Sequence, residues 1–239
     1  MPELNIKSAF VTGGSKGIGY SVAEALVLRG VHVAITARNA AEVEAATQKL
    51  NALGGGQARG YAVDVKDGPA LEDAVKDAAQ HFGGLGALIA NAGVGVFKPI
   101  YEMTLEEWNS VLETNLTGVF NSVKACFPFL ESSKGYVISI SSLAGKNAFA
   151  GGAAYNASKF GLNGMSEAMM LDLRPKGIKV SYVMPGSVAT YFNDHTPTEA
   201  DAWKIQPEDL AQIVLNLLEM NPRTLPSRVE VRPSQPQKS

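Results

Sequence analysis

The chain has a single cysteine, Cys126, among its 239 residues, so no internal disulfide can form. Cys126 falls in an apolar helical stretch, where a buried structural thiol is expected, and the reducing cytosol suits it. Charge is scarce too: charged residues make up 18% of the chain and the formal net charge is -2. That excludes the basic excess of a nucleic-acid binder, and 46% hydrophobic residues exclude the composition of a disordered chain. The segment MPELNIKSAFVTGG has only a few apolar residues before a glycine turn, too few for a signal peptide and far short of a membrane span. Repeats, linkers and a cluster of metal ligands are missing as well. A soluble, unprocessed cytoplasmic protein acting on small molecules is therefore expected, with no nucleic-acid, membrane or metal partner.

What is present is alternation. Short β-type runs separated by helical windows are the pattern of a parallel sheet with crossover helices on both faces. One domain over residues 1–232 is expected, with a disordered tail at 233–239. Strands are predicted at residues 8–12, 32–37, 60–65, 87–90, 135–142 and 178–186, with an edge strand at 228–232. Helices are predicted at 17–29, 41–53, 69–82, 104–127, 152–173 and 207–220, and residues 187–206 read as a loop. Gly30 stops the first helix, Thr104 and Glu107 look like a capping box, and Pro207 with Glu208 and Asp209 starts the last helix.

The stretch SLAGKNAFAGGAAYNASK, residues 142–159, carries the chemistry. Tyr155 and Lys159 are four apart, so a helix brings both to one face. A phenol titrates near pH ~10, and a fixed ammonium beside it favours the phenolate, moving the value toward the range useful to a general acid/base. Ser142, at the end of an apolar run, would be aimed at the same place. Near the N-terminus, TGGSKGIG directly follows the first strand and opens the first helix. Its glycines, Gly13, Gly17 and Gly19, let the backbone of Ser15, Lys16 and Ile18 approach a pyrophosphate closely. The second strand ends Thr36-Ala37-Arg38, without the carboxylate that would bind a ribose 2′-hydroxyl and repel a 2′-phosphate. Arg38 can make bidentate bonds to a phosphate and Lys16 can add a second positive charge. NADP(H) is favoured over NAD(H).

TGGSKGIG, Asn91-Ala92-Gly93, Asn115, Ser142, Tyr155, Lys159 and Pro185-Gly186, in this order and spacing, resemble the short-chain dehydrogenase/reductase family, and in particular its 3-oxoacyl-carrier-protein reductase-like members. The resemblance covers residues 8 to about 190. It implies a single-domain α/β Rossmann-type fold, a doubly wound parallel sheet of order 3-2-1-4-5-6-7 with helices on both faces. It implies that Tyr155 is the proton donor or acceptor, that Lys159 binds the nicotinamide ribose and lowers the tyrosine pKa, and that Ser142 holds the substrate oxygen. Asn115 would position a water in a relay to Lys159. Asp64 and Val65 would contact adenine, Asn91 to Gly93 would line the adenosine side, Pro185 and Gly186 would belong to the cofactor site, and Val188 and Thr190 would bind the carboxamide end. A homo-oligomer, dimer or tetramer, is implied too. Two departures stand out. Ala90 precedes Asn91 where the family often has a second asparagine, and SRVEVRPSQPQKS replaces the usual glycine-pair ending.

The expected activity is NADP(H)-dependent hydride transfer between the nicotinamide and a carbonyl or secondary alcohol. Alternatives are an NAD-dependent alcohol dehydrogenase of the same fold and a non-catalytic nucleotide sensor, which could dispense with Tyr155, Lys159 or Ser142. An epimerase or dehydratase of the extended relatives would need more chain after Thr190. Val94, Val96, Leu143, Phe149, Tyr191 and Phe192 are the candidate substrate contacts. They are mostly apolar, with no arginine cluster for an anionic substrate.

Overall fold

The computed structural model describes residues 4–235. Five parallel strands form its centre: β1 (Ser8–Thr12), β2 (His32–Ala37), β4 (Ala87–Ala90), β5 (Tyr136–Ile140) and β6 (Lys179–Pro185). β3 (Ala58–Ala62) and β7 (Arg228–Val231) form the two edges, giving the order β3-β2-β1-β4-β5-β6-β7. All neighbours are parallel. The order expected from the resemblance is thus the observed one.

Parallel strands must be covered on both faces, because each crossover lays a helix against the sheet. One face carries α1 (Gly17–Leu28), α2 (Ala40–Ala52) and α7 (Pro207–Glu219). Leu26, Leu50 and Val214 pack there with Val11, Ile35 and Ile89 of the strands. The other carries α3 (Gly68–Phe82), α5 (Gly118–Ser133) and α6 (Ala153–Leu173). Leu71, Leu130 and Leu162 meet Phe10, Ala34, Leu88 and Val137 there. Successive strand residues point to opposite faces, so Phe10 and Val11 enter different cores. Cys126 is fully buried in the second core, and burial pushes its thiol pKa well up.

Local signals fix the element ends. Thr104 and Glu107 form a reciprocal capping box at the start of α4 (Leu105–Leu112), and Gly30, at φ +78°, ends the first crossover helix. Four expectations need correction. The third strand spans Ala58–Ala62 where 60–65 was predicted. The predicted helix over 104–127 is interrupted by a π-helical turn at Glu113–Thr117 before it continues to Ser133. β5 ends at Ile140, leaving Ser142 beyond it in extended backbone. Residues 187–206 are more ordered than a plain loop: they contain two short 3-10 turns, and Val188 pairs with Ile205. Of the tail expected to be disordered, residues 236–239 lie outside the described residues, while Pro233 packs near Gly186. No helix among the described residues is long and apolar enough to cross a membrane.

Candidate active site

In an open parallel sheet the carboxyl ends of the strands converge on one edge, where ligands bind. The residues singled out from sequence gather there. The β1–α1 turn is shaped for close approach: Gly13 and Gly17 have φ of +65° and +58°, and a Cβ on Gly19 would collide with the Gly13 carbonyl. Lys16, at the N-cap of α1, supplies no side-chain cap. The first amide groups of that helix are therefore left to an anion. Asn91, beyond β4, braces the turn. Its Nδ2 donates to the Thr12 and Gly13 carbonyls at 2.9 and 3.0 Å, and Thr12 Oγ1 accepts from the Asn91 and Ala92 amides. This cradle fits the pyrophosphate of a dinucleotide.

At the end of the cleft expected to meet adenosine, Arg38 is exposed and makes no hydrogen bond or ion pair among the described residues. Lys16 differs from expectation. Its ammonium pairs with Glu42 at 3.3 Å, and Ser15 Oγ donates to the other oxygen of that carboxylate at 3.3 Å. Glu42 lies in the first turn of α2, where Asn39 caps its amide. The strand end itself has no acid, but the helix that follows brings one to the glycine turn. Asp64 accepts from the Lys66 amide, and Val65 is buried beside Gly118, with its carbonyl accepting from Asn121. On the opposite side, the Gly186 amide is tied to the Val231 carbonyl at 2.8 Å. Val188 pairs with Ile205, and Thr190 lies against Gly17.

Tyr155 and Lys159 share one face of α6, and the ammonium sits 5.7 Å from the tyrosine ring centroid. Lys159 Nζ donates to the Ile140 carbonyl at the end of β5, 3.0 Å away. Ser142 Oγ accepts from the Ala144 amide at 3.0 Å, and Ser142 lies close enough to Tyr155 to favour its phenolate. Electrostatically, burial pushes the Tyr155 pKa up, and Ser142 only partly opposes it. Burial likewise pushes Lys159 down to about 8. The sequence expectation was that the ammonium would lower the tyrosine. In this structure desolvation dominates both groups, because each loses water without gaining a close countercharge.

Asn115 is fully buried in the π turn. Its Oδ1 accepts from the Val94 amide, while Nδ2 donates to the Val94 carbonyl and to Ser158 Oγ, all at 2.9 Å. Gly93 passes between Asn115 and Lys159.

Several contributors escaped the sequence reading. Phe97 stands edge-on to Tyr155 at 5.4 Å, and Phe192 lies 5.5 Å from the same ring. Phe149 joins through Phe97 at 5.7 Å. Of these rings, only Phe149 and Phe192 were among the candidates, because nothing local marks Phe97. Asn156 donates to the Ala144 and Asn147 carbonyls and accepts from the Phe149 amide, and Asn163 bonds Ser141 and the Gly145 carbonyl. Both fix the segment that carries Ser142. Polar residues at helical spacing between Tyr155 and Asn163 were the available signal. No group of three or more His, Cys, Asp or Glu side chains suited to a metal occurs among the described residues.

The family model described as short chain dehydrogenase matches residues 7–201. The glycine betaine reductase of Emericella nidulans is 34% identical over 241 residues, which cover 96% of this chain but only 19% of that protein. A metagenomic short-chain oxidoreductase solved in complex with NADP is 35% identical, with a TM-score of 0.83 and coverage of 96% and 98% of the two chains. A 3-oxoacyl-[acyl-carrier protein] reductase from Brucella melitensis solved with bound NAD is 30% identical, with a TM-score of 0.84 and coverage of 95% and 89%.

Proposed function

The chain belongs to the short-chain dehydrogenase/reductase family, and from that premise we propose that it is an NADP(H)-dependent oxidoreductase in which Tyr155 exchanges the proton with a carbonyl or secondary-alcohol substrate. The observation that carries this reading is the convergence of Ser142, Tyr155 and Lys159 where β5 meets α6. The bound nicotinamide would supply or accept the hydride, and the protein would supply the proton and the geometry.

Ser142 lies near enough to Tyr155 to act on its hydroxyl, so a substrate oxygen arriving beside both would meet two hydroxyl donors at once. The raised pKa of Tyr155 keeps it protonated at neutral pH, the form needed to donate to a developing alkoxide. Lys159, buried and anchored on Ile140, is placed to hold a ribose hydroxyl and to return a proton to the phenolate. Gly13, Ser15, Gly17, Ile18 and Gly19 would cradle the pyrophosphate, Arg38 would meet the 2′-phosphate, and Asp64 and Val65 would border adenine. Ala92 and Gly93 would line the adenosine side, with Val188 and Thr190 at the carboxamide end.

Cofactor choice is supported by the exposed Arg38, which has no partner among the described residues, and by the relative solved with NADP. On the substrate side, Phe97, Phe149 and Phe192 surround Tyr155 with apolar surface. That favours a neutral carbonyl group flanked by apolar substituents over a carboxylate placed next to the reacting carbon. Cytoplasmic placement and a homo-oligomeric state belong to the same proposal. The test is a turnover screen of ketones, aldehydes and 3-oxoacyl thioesters with NADPH, repeated with Tyr155→Phe. Turnover by the parent that falls about 10²- to 10⁴-fold in the variant supports the reading. Equal rates in the two proteins would move the proton donor elsewhere.

A further inference from the structure

The glycine turn holds an anion of its own. Glu42 reaches from the first turn of α2 and takes both polar side chains of the turn, Ser15 Oγ and Lys16 Nζ, one on each carboxylate oxygen at 3.3 Å. Four residues before it, Arg38 is exposed and has no hydrogen bond or ion pair among the described residues. The two basic residues at this end of the cleft are therefore unequal: Arg38 is available, and Lys16 is committed.

We infer that Glu42 is a specificity-determining residue for the cofactor, acting as an internal competitor of the ribose 2′-phosphate for Lys16 and Ser15. This rests on the assignment of that phosphate to the region of Arg38 and Lys16. A phosphate arriving there must displace the carboxylate from the ammonium, or share the ammonium with it and accept a second negative charge close by. Either way its binding is weakened. A ribose carrying only hydroxyls meets no such opposition, because a carboxylate accepts hydrogen bonds from hydroxyl groups. Glu42 thus narrows the margin between NADP(H) and NAD(H) that Arg38 alone would set.

The size of the effect follows from exposure. Lys16 and Glu42 keep 54% and 41% of their side-chain surface in water, and exposed pairs of this kind contribute at most about 1 kcal/mol, or about fivefold in an equilibrium constant. Glu42 is therefore a modulator, and the phosphate preference does not reverse while it is present. The location also explains why the acid is invisible at the strand end. Asn39 caps the helix through the Glu42 amide, and the Glu42 side chain reaches back to Ser15 and Lys16 of the β1–α1 turn.

The inference is tested by binding, with no need for turnover. Dissociation constants for 2′,5′-ADP and 5′-AMP, which differ by the 2′-phosphate, are measured by calorimetry on the full chain, followed by NADP⁺ and NAD⁺. Glu42→Gln should tighten 2′,5′-ADP and NADP⁺ by about two- to fivefold and leave 5′-AMP and NAD⁺ unchanged. In a Lys16→Gln background the same substitution should lose most of its effect, since the contested ammonium is gone. The inference is overturned if Glu42→Gln leaves 2′,5′-ADP unchanged or weakens it, or if it shifts 5′-AMP equally. It is also overturned if the effect survives intact without Lys16. Failure of the NADP assignment looks different: the parent protein would then bind 2′,5′-ADP and 5′-AMP equally, and Arg38→Asp would change neither.

Discussion

The side-chain amide of Asn115 donates to the hydroxyl of Ser158 at 2.9 Å, and that hydroxyl donates to the Tyr155 carbonyl at 2.8 Å. The π turn and the helix carrying Tyr155 are thereby locked together, with the Val94 backbone clamped by the same amide. A π turn inserts an extra residue into the helical ladder and often marks a functional site. Here the fully buried Asn115 amide in that turn makes three hydrogen bonds, two to the Val94 backbone and one to Ser158.

Asn115→Leu keeps the approximate shape and leaves the half-buried Val94 amide and carbonyl without their side-chain partner, while the Ser158 hydroxyl keeps its bond to the Tyr155 carbonyl. Each buried unsatisfied group costs about 1–3 kcal/mol, so with two groups affected denaturant unfolding should show a loss of about 2 kcal/mol or more. A loss below about 1 kcal/mol would mean that water or repacking satisfies both.

Lys159 gives the stability of the protein a pH signature. Its folded pKa, about 8, lies below the ordinary 10.5. Below pH 8 the group is charged in both states and the burial penalty is fully present. Between pH 8 and 10.5 the unfolded chain keeps the proton and the folded chain releases it, so this group makes stability rise with pH. Lys159→Met removes the rise. Relative to the variant, the parent should gain on the order of 3 kcal/mol across that window, measured by urea unfolding at stepped pH. A pH-independent difference between the two proteins contradicts a depressed lysine.

Tyr155 owes its raised pKa first to burial, and Phe97 and Phe192 are the rings that cover it. Phe97→Ala should admit water and bring the value down, so the pH at which alcohol oxidation switches on should fall. The KM for apolar substrates should rise, while the dissociation constant for NADP⁺ stays the same. A pH profile that does not move would assign the desolvation to the backbone around Ser142 instead.

Arg38 is exposed and has no ion pair or hydrogen bond to lose among the described residues, so Arg38→Asp separates recognition from stability. The melting temperature should hold, and NADP⁺ affinity should fall about 10- to 100-fold, the worth of a charge-assisted contact. NAD⁺ binding should hold or improve. Equal losses for both cofactors would place Arg38 on a feature they share.

Much of this protein was legible from local rules. The alternation of strand and helix, the capping box at Thr104 and the glycine turn each depend on residues within a few positions of one another. Those are distances over which backbone sterics and helix periodicity act without help from the rest of the fold. For that reason β1, β2 and β4 fall at their predicted limits, and Tyr155 and Lys159 share the predicted face. Tertiary structure decided what depends on meetings between distant segments. Helical spacing could not foresee the π turn, which is supported by Val94 and Ser158 from other elements. Nor could the strand-end rule see Glu42, since only the packing of α2 against the sheet brings its carboxylate to Lys16. The electrostatics of Tyr155 reversed for the same reason. A neighbouring charge is readable from an i, i+4 spacing, but desolvation is a property of everything that surrounds a group, and the rings that pack on Tyr155 come from two separate loops.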